Sequence, residues 1–339
     1  MNLVSVLNSA DPVVTDHFCT WIEERHKIYL ARLAGKPSPW TNDPILSSNR
    51  FCNVFRCADR VSQAAIRVAN SSKSLKSFRD QFVRSLIFRF FNREDTWRYL
   101  CKALGQEPSA DNFDRERYTQ LLSDYKGVRY NAAYRTTPPI HSTGTVSYID
   151  RGGRRDHGIQ NTHVMQLDLL DRFLNVDNLP QQILESGSLK KSVELLSGYS
   201  CVGNFLAMQW SVDLGYGPWL PADWESQFIV PGPGALKGMR RMFPLLKGVS
   251  DDVITQGLGA EVLQWMTQNH GLPIDWFGRS LQLIDIQNVY CELDKYCRGM
   301  NPGTGSGSKK IKTRYLVPNG TIKSDPRPIA PATWGIVIP

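Results

Sequence analysis

Residues Ser226 to Phe243 read Ser-Gln-Phe-Ile-Val-Pro-Gly-Pro-Gly-Ala-Leu-Lys-Gly-Met-Arg-Arg-Met-Phe. An apolar run closes in Val230-Pro231-Gly232-Pro233-Gly234, and a basic segment of helical character follows at once. The two prolines lack N–H groups, and the two glycines let backbone approach a ligand closely. The amides after them stand at a helix start, where the dipole favours an anion. With Lys237, Arg240 and Arg241 just behind, the stretch has the parts of a phosphate cradle. A tight turn leading into an ordinary surface helix fits the same residues.

Outward from that stretch, the chain has 339 residues, 41% of them hydrophobic, enough for a large core in one big domain or two intimate lobes. Its 40 Lys+Arg against 32 Asp+Glu leave a net charge of +8. That balance suits a nucleic-acid partner, although many unrelated proteins share it. The seven cysteines (Cys19, Cys52, Cys57, Cys101, Cys201, Cys291, Cys297) are odd in number and form no Cys-x-x-Cys pair. They read as reduced thiols and exclude a disulfide framework or a zinc site. No signal peptide or bilayer-spanning run is visible, so a soluble, intracellular chain is expected.

Helical spacing dominates. Phe18, Ile22, Arg25 and Tyr29 share one side of a helix ending near Leu33, and Gly35-Lys36-Pro37-Ser38-Pro39 breaks it. Trp40 to Leu46 is a loop with a helix-start signal. Asn49 to Arg60 mixes aromatic residues with Arg50, Asn53, Arg56 and Arg60 and runs into a second helix ending near Asn70. Such polar groups on a partly apolar segment either contact a ligand or form a buried network. Ser74 to Leu100 is the strongest helical block, with Phe82, Leu86, Phe90 and Val83, Ile87, Phe91 in two adjacent rows. The dense polar cluster Arg89-Phe90-Phe91-Asn92-Arg93-Glu94-Asp95-Thr96-Trp97 lies at its end. Residues 136–162 read as a basic loop or small hairpin. Ser188 to Gly215 forms two helices around a glycine turn, and Asp251 to Gln268 and Asp275 to Arg298 are further helices. From Gly299 the composition becomes that of a flexible linker, then a basic, Pro-rich tail. The expected division is therefore 1–300 and 301–339, and the architecture is mainly α.

No phosphate-binding G-x-x-x-x-G-K-[ST], dinucleotide fingerprint or H-E-x-x-H occurs, and the six histidines do not cluster. These absences argue against kinase, dehydrogenase and zinc-hydrolase readings. Neither a metal nor a cofactor is expected.

Six boxes in order resemble the alpha-glutamyl/putrescinyl thymine pyrophosphorylases, a family that also contains the helical domain of 5-hydroxymethyluracil DNA kinases. They are Pro39 to Leu46, Arg50 to Arg56, Phe90 to Thr96, Val202 to Leu214, Val230 to Ala235 and Cys291 to Tyr296. The likeness spans roughly residues 20 to 300. It implies a helix-hairpin-helix DNA glycosylase-like helical domain followed by a basic, Pro/Gly-rich C-terminal tail. It also implies a reaction in which an amine, an amino acid or polyamine, displaces pyrophosphate or phosphate from an activated 5-hydroxymethyluracil base in DNA. The partners implied are double-stranded DNA with a flipped base, the amine or amino-acid co-substrate and other enzymes of the modification route, with no membrane. The place implied is the cytoplasm of a phage-infected host or of a cell, or a nucleus if the source is eukaryotic.

Under that resemblance two turns compete for the DNA-backbone hairpin: Gly198 to Gly203, and Val230 to Gly234. In helix-hairpin-helix glycosylases a catalytic Asp follows the hairpin; counted from Gly198–Gly203 it would fall between Trp224 and Gly232. Only Asp223 and Glu225 lie near, which argues against base excision. It leaves Gly232, Gly234, Lys237 and Arg240 to hold the leaving group. The amine must lose a proton, and the candidate bases are Glu94, Asp95, Asp285 and Glu292. Arg93 would hold a phosphate or carboxylate, and Asn53 and Asn92 a flipped base, with Arg56 and Lys295 as further substrate-binding candidates. A structural hydrogen bond or ion pair accounts for each single residue equally well. The competing readings are a glycosylase using Asp223, Glu225 or Asp285, and a non-catalytic DNA-binding module whose enzymatic partner is a separate chain.

Overall fold

Side-chain caps start seven of the described α-helices. The computed structural model describes residues 2–70, 75–131, 155–199, 202–269, 271–300, 311 and 327–339, the side chains of 155–161 and 256 excepted. After the short α1 (Leu3–Asn8), Asp11 accepts the N–H groups of Val13 and Val14 and Pro12 opens α2 (Pro12–Leu33). Asp43 and Pro44 repeat the device at α3 (Pro44–Ser48). A 3-10 turn at Arg56–Ala58 precedes α4 (Arg60–Ala69). The expected Ser74–Leu100 block is two helices, α5 (Phe78–Phe91) and α6 (Glu94–Leu104). Asn92 breaks it by taking the left-handed conformation at φ 52, a C-terminal role that Asn tolerates. Acidic Glu94 and Asp95 then occupy the first turn of α6.

Next come α7 (Arg115–Asp124) and α8 (Arg155–Asp171), the latter running into a π turn at Arg172–Val176. Helix thus replaces the expected loop from Arg155 onward; 132–154 lie outside the described residues. Then follow α9 (Leu179–Ser186), α10 (Leu189–Ser197), α11 (Asn204–Leu214) and α12 (Pro233–Met242). The short α13 (Asp251–Val253) passes through a π turn at Ile254–Leu258 into α14 (Gly259–Asn269). The last long helix, α15 (Leu283–Met300), starts later than Asp275. Asp275 accepts the N–H of Gly278, Phe277 is left-handed, and Trp276 bridges to Arg279, so this stretch is a closed turn. Among the described residues the β features are isolated bridge residues, Asn49 and the Trp276–Arg279 pair, and the fold is mainly helical.

The chain divides into two units. Unit 1 comprises residues 1–59, 228–328 and 336–339, and unit 2 comprises 60–227 and 329–335. In unit 1, α15 packs against α12, α2 and α14. In unit 2, α5 packs against α4, α9 and α11, burying both of its apolar rows. The described tail is shared between them: Gln63 exchanges two hydrogen bonds with the backbone of Ile329 in unit 2. Among the described residues no helix is long and apolar enough to cross a membrane, and no group of three or more His, Cys, Asp or Glu could hold a metal ion.

Candidate functional site

In unit 1 the segment Arg50-Phe51-Cys52-Asn53 is non-helical, and the buried Val54 and Phe55 anchor its far end. α2 and α15 hold its backbone between them. From α2, Arg25 donates through Nε to Cys52 O at 2.9 Å and through Nη2 to Asn53 Oδ1 at 2.5 Å. From α15, Glu292 Oε2 accepts Cys52 N–H at 3.3 Å, and Asn288 Nδ2 donates to Asn53 O at 3.4 Å. Lys295 donates to Arg50 O, pairs with Glu292 at 3.1 Å and stands 4.2 Å over the Phe51 ring. Asn53 donates its backbone N–H to Asp59 Oδ1 at 2.7 Å and its Nδ2 to Ala58 O at 2.7 Å. The structure therefore brings Asn53, Glu292 and Lys295 together and adds Arg25 and Asp59, neither of which was selected from the sequence.

Burial pushes the Asp59 carboxyl from 3.8 to about 6, against the opposing pull of the Asn53 N–H and of Arg25. A carboxylate titrating there suits proton transfer at neutral pH better than an ordinary one. The same burial raises Cys52 well above its ordinary value and Cys291 to about 11, so both thiols stay protonated near pH 7 and are poor nucleophiles.

Asp59 gives a stability signature with a definite sign. Below pH 3.8 it is protonated folded and unfolded, and it contributes nothing. Between 3.8 and 6 the unfolded chain releases a proton that the folded chain keeps, so rising pH favours unfolding. Above 6 the full cost, on the order of 3 kcal/mol, remains. Asp59→Asn keeps an acceptor for Asn53 and removes this cost. The variant is expected to melt above the parent at pH 8 and level with it at pH 4; equal melting temperatures at both would refute the assignment.

The other unit 1 candidates have structural work. Asp285 is buried, with one oxygen accepting Arg56 N–H at 2.7 Å and the other Gln282 N–H at 2.9 Å, which fixes the start of α15. Asp285, a candidate base from the sequence, thus has a structural role at this helix start. Arg56 is buried beside it. Gly232 caps α12, and Gly234 has a packing role. A Cβ at 234 would run into Cys291 Sγ, and one at 238 into the carbonyl oxygen of Tyr290. These glycines, one turn apart, let α12 and α15 pack closely. Arg240 is likewise engaged, donating to Leu246 O at 3.3 Å and Val249 O at 2.7 Å and pairing with Asp251. Lys237 is exposed.

Unit 2 holds the remaining candidates. Asn92 is buried, and its Oδ1 accepts Arg89 Nη1 at 2.8 Å at the α5 terminus. Arg89 in turn pairs with Asp213 on α11, both side chains 2% exposed. Asp95 is exposed between Arg93 at 2.9 Å and Arg98 at 2.8 Å, and Glu94 is half-buried. Glu225 is buried, while Asp223 is exposed and accepts from Gln227. α10 and α11 pack together as a helical hairpin. Gly198 closes α10, and Gly203 opens α11 with no side-chain cap and nothing within 4 Å of a Cβ placed on it.

Arg25 and Asp59 each left a trace in the sequence. Arg25 is a charge on the apolar side of a helix, and Asp59 follows Asn53 within the same Asn49 to Arg60 stretch. Neither trace separates a ligand contact from a structural one until the partners are seen.

A helical fold with a polar core segment and an open helical hairpin defines a broad class, and comparison narrows it. Residues 12–306 match a family model described as "5-hmdU DNA kinase, helical domain". The chain belongs to that family. It is also similar to a "5-hmdU DNA kinase" of Bacillus phage SP10, 24% identical over 306 residues that cover 83% of this chain and 44% of the phage protein. The chain thus spans less than half the length of that relative. No solved structure matches.

Proposed function

We propose that this chain works on DNA carrying 5-hydroxymethyluracil, in thymine hypermodification, and that the α10–α11 hairpin binds the DNA backbone. The contrast between the two glycine turns carries this reading. At Gly234 the space a side chain would need is filled by Cys291, so that glycine already has a packing role. At Gly203 the helix start is exposed and carries no side-chain cap, and a helix start of that kind suits a phosphate. Gly203→Asp tests it, because Asp is itself a good N-cap and keeps the helix while placing a negative charge where the phosphate would sit. The variant is expected to fold as stably as the parent and to bind duplex DNA about ten-fold more weakly at low salt. Unchanged DNA affinity would remove the hairpin from the interface.

For chemistry we propose amine transfer centred on the Asn53 segment of unit 1. The amine nitrogen bonds to the base methylene carbon, the carbon–oxygen bond to phosphate or pyrophosphate breaks, and the leaving group departs with the electron pair. The amine's proton passes to a carboxylate, for which Asp59 and Glu292 are the local candidates. Asp59, titrating near 6, is the better matched. Incubating the protein with phosphorylated 5-hydroxymethyluracil DNA and a panel of amines, then weighing the nucleosides, tests it. A mass gain supports transfer, abasic sites indicate a glycosylase, and binding without product leaves a DNA-binding module.

A further inference from the structure

Two buried donors on α2 have no acceptor. Trp21 is fully buried and its indole Nε1 makes no hydrogen bond; Arg25 is 8% exposed and its Nη1 makes none either. The two residues are four apart in one helix, so their side chains project one turn apart from the same face. Both lie against the same short segment. The Trp21 ring is 6.2 Å from that of Phe51, and Arg25 bonds to Cys52 O and Asn53 Oδ1.

The charge makes this more than two missed hydrogen bonds. The hydrogen-bond partners of the Arg25 guanidinium are neutral: two backbone carbonyls and an amide oxygen. Among the described residues no carboxylate stands within ion-pair reach of it. A buried cation without a counter-charge is costly, and an N–H donor left unbonded adds to that cost. Asp59, whose charge acts on Arg25 from further off, takes its short hydrogen bond from Asn53. Both unused groups donate only, so what satisfies them must accept, and an anion also balances the charge.

We propose that Trp21 Nε1 and Arg25 Nη1 are the donors of an oxyanion site in unit 1, which takes a carboxylate or phosphoryl oxygen of a small molecule. The proposed transfer reaction supplies two sources of that chemistry: the phosphate or pyrophosphate released, and a carboxylate on the amine co-substrate. Only the source depends on that reading. The site itself stands on the two donors and the unpaired guanidinium.

The test titrates the full chain, without DNA, with inorganic phosphate, pyrophosphate, acetate and glycine, and follows indole N–H resonances by NMR. The Trp21 signal is identified by its absence in Trp21→Phe, which keeps the ring bulk and removes the donor. A saturable downfield shift of that signal is expected with one class of anion. Phosphate and pyrophosphate acting alone would mark the leaving group, and acetate and glycine the co-substrate. Trp21→Phe and Arg25→Lys are each expected to bind the active anion about ten-fold more weakly. If none of the four anions moves the Trp21 signal, the donors bond only to buried water and the site is refuted, whatever the DNA-binding result. Loss of DNA binding in Gly203→Asp, by contrast, leaves this outcome untouched.

Discussion

A chain carrying Gly238→Ala is expected to lose about 3 kcal/mol of stability, a large part of a typical margin. The added methyl would meet the carbonyl oxygen of Tyr290, which belongs to the backbone of α15 and cannot rotate away. Relief requires α12 and α15 to separate, and that uncovers Leu236, Met239 and Met242 on one side and Tyr290 and Leu293 on the other. Gly234→Ala provides the control. Its methyl meets Cys291 Sγ, the end of a side chain that can move or be shortened. The cost there is expected to be about 1 kcal/mol, and Cys291→Ala in the same chain should recover most of it. Urea unfolding of the three variants and the parent measures all of this. A Gly238→Ala chain as stable as Gly234→Ala would show that α12 and α15 do not pack as described.

The same glycines show why part of the site was hard to read from sequence. A glycine that admits a phosphate and one that admits a neighbouring helix look alike, and Pro-Gly-Pro-Gly beside three cations favours the first reading. The discriminating sign was the four-residue spacing of Gly234 and Gly238 on one helix face, a pattern of close helix packing. Asp285 was ambiguous for a related reason. A carboxylate in the first turn of a helix is either a base or an anchor for backbone N–H groups, and only its two partners decide. The helices themselves were legible, because their apolar rows repeat at helical spacing and their starts carry Asp or Ser caps. Boundaries failed where one residue left the helical conformation, as at Asn92, or where a turn resembled helix in composition, as at Asp275 to Arg279. Asn53, Glu292 and Lys295 were legible as members of two distant boxes. Their meeting depends on the packing of 50–53 against α15, which spacing along the chain does not encode.

In unit 2 the expected result is that Asp213→Ala destabilises by about 3 to 5 kcal/mol, leaving the Arg89 guanidinium buried without its carboxylate. The pair links α5 to α11, and its two side chains are almost wholly sealed from water. Screening therefore does little to it, unlike the exposed Arg93–Asp95–Arg98 set, where Asp95→Ala should change stability by less than about 1 kcal/mol. Changing both partners to apolar residues, Arg89→Met with Asp213→Leu, removes the stranded charge and should restore much of the loss. Asn92 must be counted in that comparison, since its Oδ1 loses the Arg89 donor in the double variant. DNA binding supplies the link to function, because α11 is the helix that Gly203 opens. Asp213→Ala should weaken DNA binding only as far as it unfolds the unit, and the double variant should recover both together. Gly203→Asp should weaken DNA binding with the fold intact. If Asp213→Ala proved as stable as the parent, the Arg89 charge would have another counterpart. If the double variant regained stability without DNA binding, Arg89 or Asp213 would belong to the DNA interface itself, and the hairpin backbone would not act alone.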